Sequence, residues 1–190
     1  MHLQAINVLR PIPEGGGNLL LVSDDLQYRA IARDIHGMEG VWLQSVLMVA
    51  HESGFLDRKA YAEAVYGLTA QKHGHVTLNA QVLIEIVLED ASAALDKLKI
   101  VAAFIGNETA DFESHFKVAW DFVKHIWSIN LPHLRKAKAT SIMLDRLVGM
   151  LARFGPINET YTGLIKSSRT QPLLGEYLVS WAQGHFIDIK

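Results

Sequence analysis

The chain has 190 residues, a hydrophobic fraction of 49% and a formal net charge of −2, which suffices for one domain, or one domain with an extension, around a real core. The slightly negative charge argues against a protein that coats nucleic acid generally, although a local basic surface is compatible with it. The absence of cysteine excludes disulfides, thiolate metal sites and a cysteine nucleophile.

Nothing in the sequence indicates a membrane span or a secretory signal peptide. The strongest apolar run, AQVLIEIVL at residues 80–88, is too short to cross a bilayer and is interrupted by Glu85. The first residues, MHLQAINVLRP, lack the charged start and long apolar stretch of a signal peptide. We therefore expect a cytoplasmic protein without a membrane partner.

The first part of the chain predicts a linker followed by two short strands with a helix between them. Residues 1–18 are expected to be a linker or the tail of a preceding element, because RPIPEGGGN contains two prolines and three glycines. The apolar run at 19–23 is typical of a buried parallel strand. A second short strand is expected around Val41 and Trp42. The helix between them is predicted to turn inward its apolar positions Tyr28, Ile31, Ala32 and Ile35.

The remainder of the chain is predicted to be helical. One helix is expected to end near Gly54, Asp57 to cap the next, and Thr109 to cap a long helix further on. The stretch KHGHVT at 72–77 is interpreted as a turn. The fold class that follows is mainly α with a small parallel β-element. Later helices are predicted at about 135–153, 157–167 and 172–183.

Two adjacent acids, Asp24 and Asp25, follow the first strand, and Arg29 lies four residues after Asp25. Open parallel sheets bind ligands at the carboxyl ends of their strands, so two carboxylates there can hold Mg²⁺ or Mn²⁺ and activate water for phosphodiester cleavage. The alternative is structural: Asp24 caps the helix together with Gln27, and Asp25 pairs with Arg29. The local spacing favours the structural interpretation.

The stretch LLLVSDDLQYRAIARDIHGMEGVWLQSVLMVAHESGFL, residues 19–56, resembles the C-terminal half of a PIN-like domain, the fold of a family of metal-dependent nucleases. GMEGVW stands where the next short strand of that family belongs, and AHESGFLD where the following helix ends. The resemblance covers about residues 19–90 and is to modules of large bacterial multidomain proteins. It implies a PIN-like α/β region at 19–106 and a helical extension at 107–190. The residues that match the family's S/T-D-D-x-x-x-R-x-x-A pattern are Ser23, Asp24, Asp25, Arg29 and Ala32.

The resemblance implies a metal site that this sequence supplies only in part. Nucleases of the family gather three or four acids around the metal, whereas residues 1–18 contain a single acid, Glu14. Only Asp24 and Asp25 can be carried over as catalytic and metal-binding residues, with Arg29 orienting or neutralising them. One or two carboxylates bind Mg²⁺ or Mn²⁺ poorly. We therefore expect little or no cleavage by this chain alone. Either the chain is a fragment of a longer protein, which we favour, or the fold has lost its front half and its catalysis.

A half-domain of this kind leaves a sheet edge and an apolar face uncovered. Exposed edges and large apolar patches are normally shielded in native proteins. We therefore expect a homodimer, a protein partner or a missing N-terminal part of the native chain to cover them.

A second candidate site is a basic helix face in the last third of the chain. It could contact the phosphates of RNA, and Trp120, Trp127 and Trp181 could stack bases. The alternative is a solvated charged face with aromatic residues in the core, which the net negative charge favours. The residues of this candidate nucleic-acid-binding face are Arg135, Lys136, Lys138 and Arg146.

The histidines give a weaker signal. His73 and His75 could ligate zinc only with a third ligand, and His51 lacks the second histidine of a metalloprotease motif. We expect His73 and His75 to face solvent in a turn.

Three functional hypotheses follow. In the first, the chain is a PIN-like module related to RNA metabolism that does not cleave by itself. In the second, an upstream segment or a partner chain completes an active Mg²⁺- or Mn²⁺-dependent ribonuclease. In the third, the helices form a protein-interaction scaffold. Further carboxylates close to Asp24 or Asp25 would favour the nuclease, and acids engaged in helix capping would favour a non-catalytic role.

Overall fold

The structure, a computed structural model, describes residues 20–73, 76–107, 111–154 and 157–185. These residues form nine helices and one two-stranded parallel sheet, so the predicted fold class is confirmed. The expected linker at 1–18 lies outside the described residues. Within the described ranges, no helix is long and apolar enough to cross a membrane.

The elements follow one another through short connections. In chain order they are β1 Leu20–Val22, α1 Leu26–His36, β2 Glu39–Val41, α2 Leu43–Glu52, α3 Arg58–Ala70, α4 Ala80–Glu89, α5 Asp96–Ala102, α6 Phe112–Ser128, α7 His133–Phe154, α8 Ile157–Ser167 and α9 Pro172–Gly184.

Contacts between residues divide the described chain into two units. The first unit contains β1, α1, β2 and α2, and the segment around 72–77 belongs to it. The second unit contains α3 and the helices from α4 to α9. The predicted division into a PIN-like region at 19–106 and a helical extension at 107–190 stays a prediction.

The first unit is built on one strand–helix–strand element. β1 pairs in parallel with β2, with Leu21 opposite Gly40, and α1 makes the crossover between them. The Ser23 N–H donates to Val41 O at 2.9 Å and extends the pairing by one residue. The two predicted strands and their parallel pairing are confirmed, but the expected burial of the first strand is wrong, because Leu20 and Val22 are 51% and 46% exposed. The second one ends at Val41, because Trp42 is the residue that precedes α2.

The core of the first unit is small. It consists of Leu21, Ala32 and Met38, with Tyr28 packed against them. The prediction that Ile35 points inward is wrong, because 67% of its surface is exposed. A helix of eleven residues is about 16 Å long and a strand of three residues about 10 Å, so this sheet cannot cover the whole of α1.

The second unit has a much larger core. α4 carries the apolar run noted in the sequence and packs against α3, α5 and α6, while α7 packs against α5, α6 and α8. α9 packs against α8. The buried apolar side chains include Val65, Leu83, Val87, Leu98, Phe122, Ile126, Met143 and Leu147.

One predicted helix end is confirmed and one predicted cap is wrong. Gly54 follows α2 with a positive φ angle of 77°, as expected of a glycine that terminates a helix. α6 begins one residue after Asp111, whose carboxylate accepts a hydrogen bond from the Ser114 N–H at 2.8 Å. The cap is therefore Asp111 rather than Thr109, which lies outside the described residues.

Candidate functional site

The two acids after β1 occupy different positions, and Asp25 caps α1. One carboxylate oxygen of Asp25, Oδ1, accepts hydrogen bonds from the N–H groups of Gln27 at 2.8 Å and Tyr28 at 3.2 Å. The prediction that Asp24 caps this helix is wrong by one residue. The helix begins at Leu26, and the side chain directly before the first helical residue is the one that reaches the second and third amides.

Asp24 serves the beginning of another helix. Its Oδ1 accepts a hydrogen bond from the Leu43 N–H at 2.9 Å, and Leu43 is the first residue of α2. The residue at the cap position of α2 is Trp42, whose side chain makes no capping hydrogen bond. Asp24 therefore supplies, from nineteen positions earlier in the chain, an acceptor that the local sequence of α2 lacks.

The other oxygen of Asp24 is engaged by a histidine. Asp24 Oδ2 and His73 Nδ1 form a short hydrogen bond, and the two side chains are 26% and 29% exposed. The expectation that His73 faces solvent in a turn is wrong. His75 lies outside the described residues.

The charge of Asp24 is stabilised by its surroundings. Partial burial by itself would raise the pKa of this carboxyl group, but the hydrogen bond from Leu43, the contact with His73 and the positive charge of Arg29 outweigh it. The pKa of Asp24 therefore lies below its usual value, and the side chain is an anion at neutral pH.

Arg29 packs against the second strand and the residue after it. Its guanidinium lies 5.2 Å from the centre of the Trp42 ring, and a Cβ added to Gly40 would stand 2.7 Å from Arg29 Cγ. The predicted pair between Arg29 and Asp25 is not among the ion pairs of the described residues. Arg29 acts instead on Asp24, through its charge.

A buried glutamine forms two hydrogen bonds with the segment that carries His73. The Gln44 side chain is almost fully buried, donates to Thr77 O and accepts from Thr77 N–H, both at 2.7 Å. A carboxamide that pairs with both polar groups of one residue holds an extended segment as a neighbouring strand would. No local sequence pattern predicts this contact, because Gln44 and Thr77 are 33 positions apart.

The carboxylates of this site do not fit a divalent cation well. Mg²⁺ and Mn²⁺ prefer several oxygen ligands, and both oxygens of Asp24 and one of Asp25 already accept hydrogen bonds. In the part of the chain that the structure describes, no three acidic or histidine side chains form a group that could hold a metal. The roles of Asp24, Asp25 and Arg29 in catalysis and of the two acids in metal binding stay predictions.

The predicted basic face divides into two pairs. Arg135 donates to the backbone carbonyls Val87 O at 2.6 Å and Asp90 O, at the end of α4, and the Lys136 ammonium donates to Trp127 O at 3.3 Å. Lys138 and Arg146 are exposed. The second pair is therefore better placed than the first to meet a phosphate.

The three tryptophans proposed as stacking surfaces lie in the core. Trp120, Trp127 and Trp181 are each exposed by less than a tenth. The Trp127 indole N–H donates to Thr140 Oγ1 at 2.8 Å and that of Trp181 to Ser141 Oγ at 3.1 Å. Buried tryptophans with a satisfied N–H stabilise helix packing, which is the alternative that the sequence favoured.

Comparisons with known proteins do not name a family for this chain. No protein-family model, no curated protein and no solved structure matches it. The functional argument therefore rests on the contacts described above.

Proposed function

We propose that the chain is a PIN-like module of a larger bacterial protein related to RNA metabolism, and that it works by binding rather than by cleaving nucleic acid. The observation that carries this proposal is the engagement of the two acids. Asp25 serves the start of α1, and Asp24 serves the start of α2 and His73. Each carboxylate therefore has a structural role that accounts for its position.

A catalytic metal at this place would compete with those roles. A cation on Asp24 would draw its oxygens away from the exposed Leu43 N–H and from the partly buried His73, and the loss of a partly buried hydrogen bond destabilises the fold. A hydrogen-bonded pair of oxygens also offers fewer lone pairs to a metal. Both arguments support a structural role for Asp24 and Asp25.

A cleavage assay tests the proposal. Single-stranded RNA with a fluorescent label at one end is incubated with the full chain and MnCl₂ or MgCl₂. We expect no more product than in the buffer control, and no difference between the chain and its variants Asp24→Asn and Asp25→Asn. The matched control is Asp34→Asn, because Asp34 is an exposed acid on α1 whose ion pair is with the adjacent Arg33.

The same variants also show which result would contradict the proposal. Metal-dependent cleavage by the chain and by Asp34→Asn, together with loss of cleavage in folded Asp24→Asn, would refute the non-catalytic role. Asparagine keeps an oxygen for the Leu43 amide while it removes the charge, so circular dichroism can verify that the variants are folded.

The proposal also predicts that the chain binds RNA. Lys138 and Arg146 are the exposed cations of the predicted face, and each phosphate contact adds to the salt dependence of binding. We expect a Lys138→Gln/Arg146→Gln double variant to bind a short single-stranded RNA several-fold more weakly at low salt. Lys117→Gln is the control, since Lys117 is an exposed cation of α6 that pairs with Asp121. Equal affinity of all three proteins would remove RNA as the partner of this face.

A second candidate function is a ribonuclease completed by another chain or segment. It is favoured by the position of Asp24, which follows β1 at the carboxyl end of two parallel strands and is kept anionic there. Added carboxylates from a partner would supply the oxygen ligands that these two acids lack. The cleavage assay repeated with the native partner distinguishes this case, because activity would then require both proteins and Asp24.

A third candidate is a protein-interaction scaffold, and the exposed apolar side chains of the first unit favour it. We propose that a second copy of the chain or a protein partner covers them. Analytical ultracentrifugation of Val49→Asp tests the homodimer: we expect a dimer for the native chain and a monomer for this variant. Leu134→Asp, at an exposed leucine of the second unit, is the control. These exposed side chains of the first unit are Leu20, Val22, Leu26, Ile35, Trp42, Leu43, Val46, Val49 and Phe55.

A further inference from the structure

The second unit contains a cavity of about 280 Å³ beside the end of α6. Its walls come from the end of α6, the loop that follows it, the first turn of α7 and the first turn of α9. A cavity of this size is near the lower limit for small-molecule sites in proteins. It suits a ligand of roughly a dozen non-hydrogen atoms and is too small for a nucleotide.

One part of the cavity wall is apolar. Trp127 and Leu131 contribute from the side of α6, and Leu173 and Leu174 from α9. Leu173 is 61% exposed, and an apolar group that enters the cavity could cover it. The Trp127 ring is held in place by an edge contact with His133, with 5.3 Å between ring centres. This wall is suited to the apolar body of a ligand.

The other part of the wall favours negative charge. Lys136 lines the cavity, and its ammonium has one described hydrogen bond, to Trp127 O at 3.3 Å, which leaves protons for a ligand. No aspartate or glutamate is among the residues that line the cavity. His133, the other ionisable side chain among the described lining residues, cannot carry a negative charge.

The start of α9 adds to this preference. The residue at its cap position is Gln171, which makes no capping hydrogen bond, and Pro172 at the first turn has no N–H to donate. The amides of Leu173 and Leu174 therefore have no acceptor from the cap side chain, and the positive end of the helix dipole lies at the cavity.

We propose that this cavity binds a small amphipathic anion, such as an aromatic or short aliphatic carboxylate. The apolar body lies against Trp127 and Leu173, and the carboxylate lies between Lys136 and the first turn of α9. A charged group and an apolar surface on opposite sides of one cavity require both features in the same ligand. The proposal is independent of the role of Asp24 and Asp25, because those residues belong to the other unit.

Fluorine NMR of the full chain with para-trifluoromethylbenzoate tests the proposal, and the uncharged para-trifluoromethylbenzamide is the matched probe. We expect the benzoate to bind with a dissociation constant below about 1 mM, and the benzamide to bind about 10-fold more weakly. Lys136→Met keeps the apolar stem and removes the charge, so it should weaken benzoate binding about 5- to 10-fold without affecting the benzamide. Lys138→Met, on the same helix but outside the cavity wall, should bind both probes as the native chain does.

A second variant verifies the location. Leu173→Trp places a larger side chain at the cavity mouth, where the native leucine is exposed and the fold can tolerate it, and it should abolish binding of both probes. The proposal is overturned if the benzoate does not bind, if acid and amide bind equally, or if Lys136→Met leaves the benzoate affinity unchanged. Binding of inorganic phosphate with the same affinity as the benzoate would also overturn it, because the apolar wall would then contribute nothing.

Discussion

At the scale of single residues, two neighbouring aspartates have separate partners. Asp25 accepts from two amides of its own helix, and Asp24 accepts from Leu43 and contacts His73. The sequence predicts Asp24 as the cap of this helix, whereas the structure gives this position to Asp25; both are good capping residues. The choice depends on where the chain leaves β1. The contact between Asp24 and His73 joins residues 49 positions apart, and no local pattern encodes it.

Replacing Asp25 with alanine should destabilise the protein by about 1 kcal/mol, because α1 loses the acceptor for two of its first amides. Asp25→Ser should recover most of the loss, since serine is also a good cap. Urea denaturation measures both changes in the free energy of unfolding. Equal destabilisation by alanine and serine would show that capping is not the contribution of this residue.

The contribution of Asp24 to stability should depend on pH. Its folded pKa lies below the value of the unfolded chain, which is about 3.9 for aspartate. A depressed pKa adds stability that is present above the unfolded pKa and is lost as the pH falls through the folded pKa. We therefore expect Asp24→Asn to reduce the free energy of unfolding by about 1 kcal/mol at neutral pH.

The same difference should shrink at acid pH. The difference should begin to shrink below the unfolded pKa of about 3.9, and the native chain and Asp24→Asn should converge as the pH falls through the lower folded pKa of Asp24. Denaturant titrations over this pH range measure the convergence, with Asp34→Asn as the control for general effects of charge. A difference that is constant with pH would contradict the assigned role of the anion.

At the scale of elements, two helices receive the hydrogen-bond acceptor of a first-turn N–H group from an acid that is not adjacent to the helix in the sequence. α2 follows Trp42 and receives Asp24 as acceptor, and α5 follows Leu95 and receives the Asp90 carboxylate, which accepts from Lys97 N–H at 2.8 Å. Apolar periodicity predicted most of the helices, because it reports the buried face directly. It could not predict these ends, since the first-turn acceptors are not adjacent to the helices they serve.

Arg135 and Lys138 lie on one helix but should respond differently to mutation. Arg135→Met removes the donor to the carbonyls at the end of α4, and we expect a loss of about 2 kcal/mol in the free energy of unfolding. Lys138→Met should change stability by less than about 0.5 kcal/mol, because Lys138 is exposed. Thermal and urea denaturation compare the two variants. Equal effects would contradict a structural role for Arg135.

Alanine substitutions at two glycines should change the free energy of unfolding in opposite directions. Gly40→Ala places a Cβ 2.7 Å from Arg29 Cγ and should destabilise the first unit by about 1–3 kcal/mol. Gly67→Ala adds a methyl group in open space within α3 and should stabilise the protein by about 0.5–1 kcal/mol. Calorimetry of the two variants shows whether each substitution raises or lowers the stability of the protein. A stabilising Gly40→Ala would show that the close approach of α1 to β2 is not a constraint.

At the scale of the whole molecule, the two units differ in how much apolar surface they bury. Among the described residues, the core of the first unit has three buried side chains and one partly buried tyrosine, whereas the second unit has buried residues on each of its helices from α3 to α6. The PIN-like relationship itself stays a proposal, because it rests on a short motif.

Asp25 and Asp24 accept hydrogen bonds at the starts of α1 and α2, and we propose that they do so instead of binding a divalent cation. Electron paramagnetic resonance of Mn²⁺ tests it directly, because only unbound hydrated Mn²⁺ gives the sharp six-line spectrum. We predict that adding the full chain leaves this spectrum unchanged, and that Asp24→Asn behaves identically. A loss of signal equivalent to one Mn²⁺ per chain, absent in folded Asp24→Asn, would contradict the account.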